Sequence, residues 1–185
     1  MMKKICIFLV ALSLLTSCDD DKIDPKFEIS STQVGMLKKT TTVKQLDSIF
    51  KNDSMVKAEK GSRYLSSSKE ITIYDKKGEK LLIMEPIEGE NPDATIESVQ
   101  IIDKRYQTAS GISSDSYFKD IKDNYPISKI ENTLSSAVVF VDSLNAYFTI
   151  DKKELPLLYR GNTDQKIEAQ NIPDSAKVKH FWVSW

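Results

Sequence analysis

One histidine, His180, limits the acid–base and metal chemistry open to this 185-residue chain. A Ser-His-Asp relay or a zinc site would have to be built on it. It stands in the run VKHFWVSW, where alternating apolar residues predict a packed or half-exposed strand histidine. No Gly-x-Ser-x-Gly elbow occurs, and Gly111-Ile112-Ser113-Ser114-Asp115 has one glycine and no following lysine, so it is no phosphate loop. The acidic run EPIEGENPDA offers Glu85, Glu88, Glu90 and Asp93 as hard oxygen ligands for Ca²⁺. Its spacing matches no known loop pattern, and Pro86, Gly89 and Pro92 set the turns of a solvated connection between strands. With 27 acidic residues, two can always fall at the ~5–10 Å of carboxylate-pair catalysis, but the sequence singles out no such pair. No metal or cofactor is expected.

The remaining chemical signal is a bias among the cations. All three arginines adjoin tyrosines, as Arg63-Tyr64, Arg105-Tyr106 and Tyr159-Arg160, whereas every other basic residue is lysine. Arginine recognises carboxylate or phosphate bidentately and stacks on aromatic faces. These six residues are therefore the candidate binding set, with structural ion pairing as the competing expectation. Neighbours on a strand point to opposite faces, so the members of one pair need not act together.

The two cysteines belong to the N-terminus. Lys3 and Lys4 precede an apolar core from Ile5 to Leu15, interrupted only by Ser13, which is the plan of a secretory signal. Eleven residues make a helix of roughly 16 Å, too short for a hydrocarbon core of about 30 Å. The run ends in Leu15-Thr16-Ser17-Cys18, which resembles the lipobox of bacterial lipoproteins. The resemblance implies that residues 1–17 are a signal peptide, that Cys18 receives a diacylglyceryl group, and that cleavage leaves it as an acylated N-terminus. Each buried CH₂ contributes about 0.8 kcal/mol, so two or three acyl chains anchor stably where one would be marginal.

Asp19, Asp20, Asp21 and Lys22 resemble the acidic tract that marks surface export in one large group of Gram-negative bacteria. Under the sorting rule of enteric bacteria, Asp19 would instead suggest retention at the inner membrane. As plain physics, residues 18–26 form a charged, proline-containing, solvated tether. The outer membrane is the expected location, with the cell surface favoured over the periplasm.

Composition agrees with an exported globular domain. The first 17 residues carry two lysines and no acid, leaving 24 basic and 27 acidic side chains, a formal charge of −3. Lysines are spread along the chain with no basic cluster among aromatics, so nucleic acid is excluded as the expected partner. Cys6 leaves with the signal and Cys18 is taken by lipid, so no disulfide can form within one mature chain. Stability must come from core burial, which at 168 residues covers about 70% of the surface of the unfolded chain.

The elements that must position these residues follow from period and punctuation. In TTVKQLDSIF, Val43, Leu46, Ile49 and Phe50 recur at helical spacing, with Thr42 and Gln45 as a capping box. Strands are expected at 54–60, 70–75, 79–85 and 95–103, the middle two joined as a hairpin through Asp75-Lys76-Lys77-Gly78. A second helix carries Phe118, Ile121 and Tyr125 beside Tyr117, with Ser114 as N-cap and Pro126 as the stop. Segments 136–141 and 146–150 form another hairpin around 142–145. The last strand places Phe181, Val183 and Trp185 on one face, lining the core, and Val178, His180 and Trp182 on the other. The expectation is an α+β single domain over 27–185: a mainly antiparallel sheet, curved or partly closed, with two short helices.

The run ESVQIIDKRYQTASGI…YFKDIKDNY, followed by YFTIDKKELP and IPDSAKVKHFWVSW, resembles a family of uncharacterised bacterial envelope lipoproteins from Ser68 to Trp185. The features that carry it are Tyr106, Thr108, Gly111, Ile112, Tyr125, Ile172, Pro173 and Asp174. The resemblance implies location and fold and brings no catalytic residue. The expected function is a non-catalytic binding or structural module, held to the membrane by acyl chains, with an envelope protein or glycan as partner. The alternative is an envelope hydrolase acting through a carboxylate pair. Oligomeric state is left open.

Overall fold

Alternation of β-branched and aromatic residues with polar ones dominates the chain, and it organises the computed structural model, which describes residues 23–58, 69–89 and 91–185. The signal, Cys18, Arg63-Tyr64 and Glu90 lie outside the described residues. Eight strands form one antiparallel sheet: β4 (Ser54–Lys57), β5 (Ile71–Tyr74), β6 (Lys80–Pro86), β7 (Ile96–Ile101), β9 (Lys129–Asn132), β10 (Ser136–Val141), β11 (Ala146–Asp151) and β12 (Val178–Ser184). Their order is β4-β5-β6-β7-β12-β11-β10-β9, so the sheet does not close and β12 runs down its middle. A smaller sheet joins β1 (Glu28–Ser30), β2 (Gln33–Val34), β3 (Leu37–Lys38) and β8 (Gln107–Thr108) in the order β3-β2-β1-β8. Its β1–β8 contact is parallel, with Glu28 opposite Gln107 and Ile29 opposite Thr108.

The α+β class and the mainly antiparallel sheet are as expected. One face of the large sheet is buried through Ile71, Ile73, Leu82, Met84, Val99, Ile101, Val139, Phe148, Phe181 and Val183. The small sheet adds Ile29, Val34 and Leu37 to the same cluster, and the helices add Leu46, Phe118 and Ile121. At its centre Phe148 and Phe181 stack with centroids 4.5 Å apart.

The first helix is shorter than its pattern: a 3-10 turn at Val43–Gln45 leads into α1, Leu46–Ile49. The Thr42 N–H donates to Gln45 Oε1 at 2.9 Å, as the capping box requires. Helix α2 covers Phe118–Asn124, with Tyr125 as its C-cap before Pro126. Ser114 is not its N-cap. Tyr117 holds that position, its N–H donating to Asp120 Oδ2 at 2.8 Å, while Ser114 Oγ donates to Ile102 O. An acid at the third helical residue, Asp120, thus fixes the start at Phe118, four positions beyond Ser114.

The assignment of faces in β12 also changes. Thr149 opposes His180 but Ile150 opposes Val178, so Lys179 is an extra residue in that ladder. The bulge turns Val178 to the buried face with Phe181 and Val183, away from His180 and Trp182. Trp185 is only half-buried and donates its Nε1–H to Ser31 O at 3.1 Å.

Candidate functional site

A second bulge builds the site. Ile73 opposes Leu82 while Tyr74 opposes Lys80, leaving Leu81 unpaired in the β5–β6 hairpin. The freed Leu81 carbonyl accepts the N–H groups of both Ile102 and Asp103 at 3.1 Å. That contact pulls the end of β7 against the hairpin turn and brings two distant carboxylates, Asp75 and Asp103, to one side chain.

The side chain is Arg105. Its Nε donates to Asp103 Oδ1 and Oδ2 at 3.0 and 2.9 Å, and its NH2 group lies 2.5 Å from Asp103 Oδ2 and 3.5 Å from Asp75 Oδ2. Asp75 is held below the usual carboxylate range, first by the backbone N–H of Glu79 and also by Lys77 and Arg105. Partial burial works against ionisation of Asp103, but its hydrogen bonds and charge contact with Arg105 outweigh that and lower its pKa. Both acids are therefore anionic partners of one guanidinium, unlike an acid–base pair whose members are pushed apart.

Above this cluster lies the start of the folded chain. The Arg105 guanidinium sits 4.8 Å from the centroid of the Phe27 ring, and the Phe27 ring meets Tyr106 edge-on at 5.0 Å. Tyr106 is fully buried, and its hydroxyl's pKa is raised by that burial and by the charges of Asp53 and Asp103. Lys26 Nζ reaches Asp53 at 3.7 Å. Asp24 accepts the Lys26 N–H at 2.9 Å. The Lys26 carbonyl passes so close over Gly35, φ +54°, that a Cβ there would overlap it and would lie 3.0 Å from Tyr106 Cε1. Arg105 and Tyr106 thus clasp Phe27, and Asp53 holds Lys26 beside it, where the chain enters β1.

The other pair is elsewhere. Tyr159 is buried in the β11–β12 connection, and Arg160 Nε donates to Leu155 O at 2.7 Å. Among the described residues, no hydrogen bond, ion pair or ring contact joins Arg105 or Tyr106 to Tyr159 or Arg160. Arg63 and Tyr64 lie outside the described residues, as does Cys18.

The outward face of the large sheet carries residues the sequence did not single out. One cross-strand row runs Thr72, Ile83, Gln100, Trp182, Tyr147, Phe140 and Lys129. Tyr147 and Trp182 stack nearly parallel at 6.0 Å, Phe140 follows at 5.8 Å, and Lys129 Nζ caps the Phe140 ring at 5.7 Å. Rings on directly opposed residues contact each other through their faces, so they stand upright and present edges outward. His180 belongs to this face, with Nδ1 3.0 Å from Thr149 Oγ1. Glu85 lies on it too, its pKa raised by burial and by Glu70 and Glu97. The period-2 reading of VKHFWVSW placed Trp182 on the face opposite Phe181 and Val183; what it could not show was the strand beside it.

Asp93, from the acidic loop, pairs with Lys44. Among the described residues no cluster of His, Cys, Asp and Glu could hold a metal ion.

No family model matches the chain, and no curated protein does. Among solved structures it is similar to the crystal structure of the uncharacterized protein yfeY from Escherichia coli, with a TM-score of 0.48 and 12% sequence identity over 85% of this chain and 99% of that one.

Proposed function

We propose that the chain is an exported envelope protein held in the outer membrane by acyl chains on Cys18, acting as a non-catalytic binding or structural module. The observation that carries the reading is Leu15-Thr16-Ser17-Cys18, with an apolar export segment before it and Asp19-Asp20-Asp21 after it. The acidic tract favours the cell surface over the periplasm. The clasp supports the same reading, because a domain pulled by its N-terminus needs its first residues fastened. Phe27, Lys26 and the backbone over Gly35 supply that fastening. In this reading Arg105 and Tyr106 serve the attachment, and an envelope protein or glycan would meet another surface, for which the aromatic row is the best candidate.

One observation favours the alternative of an envelope hydrolase. Burial, with Glu70 and Glu97 nearby, shifts the Glu85 pKa upward, the direction a general acid requires. Such an enzyme would lose its activity on replacement of Glu85 by Gln.

The test of the main reading is Cys18→Ser. The wild type is expected in the membrane fraction, with the mass of an acylated N-terminus and with sites open to protease on intact cells. The variant is expected in the soluble fraction with an unchanged unfolding transition. Recovery of the variant in membranes at the wild-type level would overturn the reading.

A further inference from the structure

The tether is short, and it ends beside a particular part of the domain. Lys26 is the eighth residue after Cys18, a contour of at most about 29 Å. Lys26 and Phe27 touch Arg105 and Asp53, so the chain leaves the domain where β7 ends and the β5–β6 hairpin turns. An open groove of about 430 Å³ lies at this end, lined by Asp75, Lys77, Lys80, Asp103, Lys104 and Arg105 among others. Its two aspartates are already taken by Arg105. Lys77, Lys80 and Lys104 are exposed and form no ion pair among the described residues, leaving Glu79 as the further acid of the groove. Lys104 also lines the adjoining groove of about 460 Å³ with Lys179 and His180. The acid of that second groove, Asp115, is bonded to Lys177.

From these facts we infer that the lysine end of the domain, Lys77, Lys80 and Lys104, is a docking surface for the phosphate headgroups of the membrane that holds the acyl chains. The inference rests on acylation at Cys18. Two features argue for this occupant: the length and end point of the tether, and charge complementarity. These ammonium groups, which form no ion pair among the described residues, stand at the end nearest the bilayer and face an anionic plane within reach of screened attraction, about 8–10 Å at physiological salt. The domain then stands on the membrane rather than hanging free, with β6 rising from Lys80 at the headgroups to Pro86 roughly 20 Å farther out.

The chain itself provides the probe. Cys18 is consumed by lipid, so a cysteine placed elsewhere is the one free thiol of the acylated protein. A fluorophore is attached at Lys76→Cys, on the hairpin turn, or at Glu88→Cys, beyond the far end of β6. Each acylated protein is reconstituted in phosphatidylglycerol or phosphatidylcholine vesicles carrying a headgroup quencher. The expected result is loss of fluorescence at position 76 and little at position 88, stronger in phosphatidylglycerol and reversed by high salt. Adding Lys80→Glu with Lys104→Glu should abolish the phosphatidylglycerol preference while the protein stays vesicle-bound through its acyl chains. Equal quenching at both positions, or a lipid preference untouched by the charge reversal, would overturn the inference while leaving the anchor intact. A protein that carries no acyl group and stays out of the vesicles would instead sink the anchoring reading and this inference with it.

Discussion

Gly35 and Gly78 both adopt left-handed backbone, with φ of +54° and +82°, but only Gly35 is crowded. At Gly78 an added Cβ would meet nothing within 4 Å, whereas at Gly35 it would overlap the Lys26 carbonyl. Alanine at either site carries the left-handed penalty of about 1–2 kcal/mol. At Gly35 the backbone of Lys26 must also move away, and Phe27 moves with it. Losing the Phe27–Tyr106 ring pair costs about 0.5–1.5 kcal/mol, with a further loss of about 1 kcal/mol for partial exposure of the Phe27 ring. Gly35→Ala should therefore exceed Gly78→Ala by about 1.5–2.5 kcal/mol, a shift of the urea midpoint on the order of 1 M between the variants. Trypsin gives a second readout, since cleavage after Lys26 should speed up in Gly35→Ala alone. Equal stability losses together with equal cleavage at Lys26 would refute the clasp.

Two other outcomes follow from the core and from the outward face. Phe181→Ala should cost about 3–5 kcal/mol, because the ring is fully buried against Phe148 in the middle strand. At about 2–4 °C per kcal/mol this is a fall in Tm of roughly 6–20 °C, and a loss below about 1 kcal/mol would show β12 to be peripheral. His180 should make the fold acid-sensitive: burial, with the Lys179 charge beside it, lowers the imidazole's pKa, so the unfolded chain takes up a proton that the folded one resists. Stability is then held above the unfolded value of about 6.5 and falls as pH drops below it. In His180→Gln, urea unfolding at pH 7, 6 and 5 should show a flatter decline, and an identical slope would remove His180 from the account.

Where a signal spans a few neighbouring residues, the sequence carried it. Asp75 to Gly78 read as a hairpin turn, Thr42 and Gln45 as a capping box, and the stripe of Phe118 and Ile121 as a helix, and each is found. The small sheet was not legible, because strands of two or three residues are too short to alternate, and β1 pairs with β8 across nearly eighty residues. The bulges at Leu81 and Lys179 shift faces by one residue without marking themselves in composition. Arg105 was visible as an unusual cation. Its partner Asp103 stands two residues away and could have been suspected from turn spacing, but Asp75 arrives through the Leu81 bulge. Gly35, alone among short apolar stretches, was the available hint that another backbone crosses there.

The position of β12 has a kinetic consequence. It is the last strand in chain order, yet it separates β7 from β11, so the blocks β4–β7 and β9–β11 share no ladder until Val178–Ser184 has been made. Until then both blocks keep a bare inner edge flanked by core residues such as Val99, Ile101 and Phe148, the kind of edge that recruits strands from other chains. Sealing it requires contacts spanning about eighty residues between β7 and β12, which makes closure slow. A chain threaded through a membrane from its N-terminus would therefore stay open and transportable throughout its passage, and would lock only once its final strand had crossed.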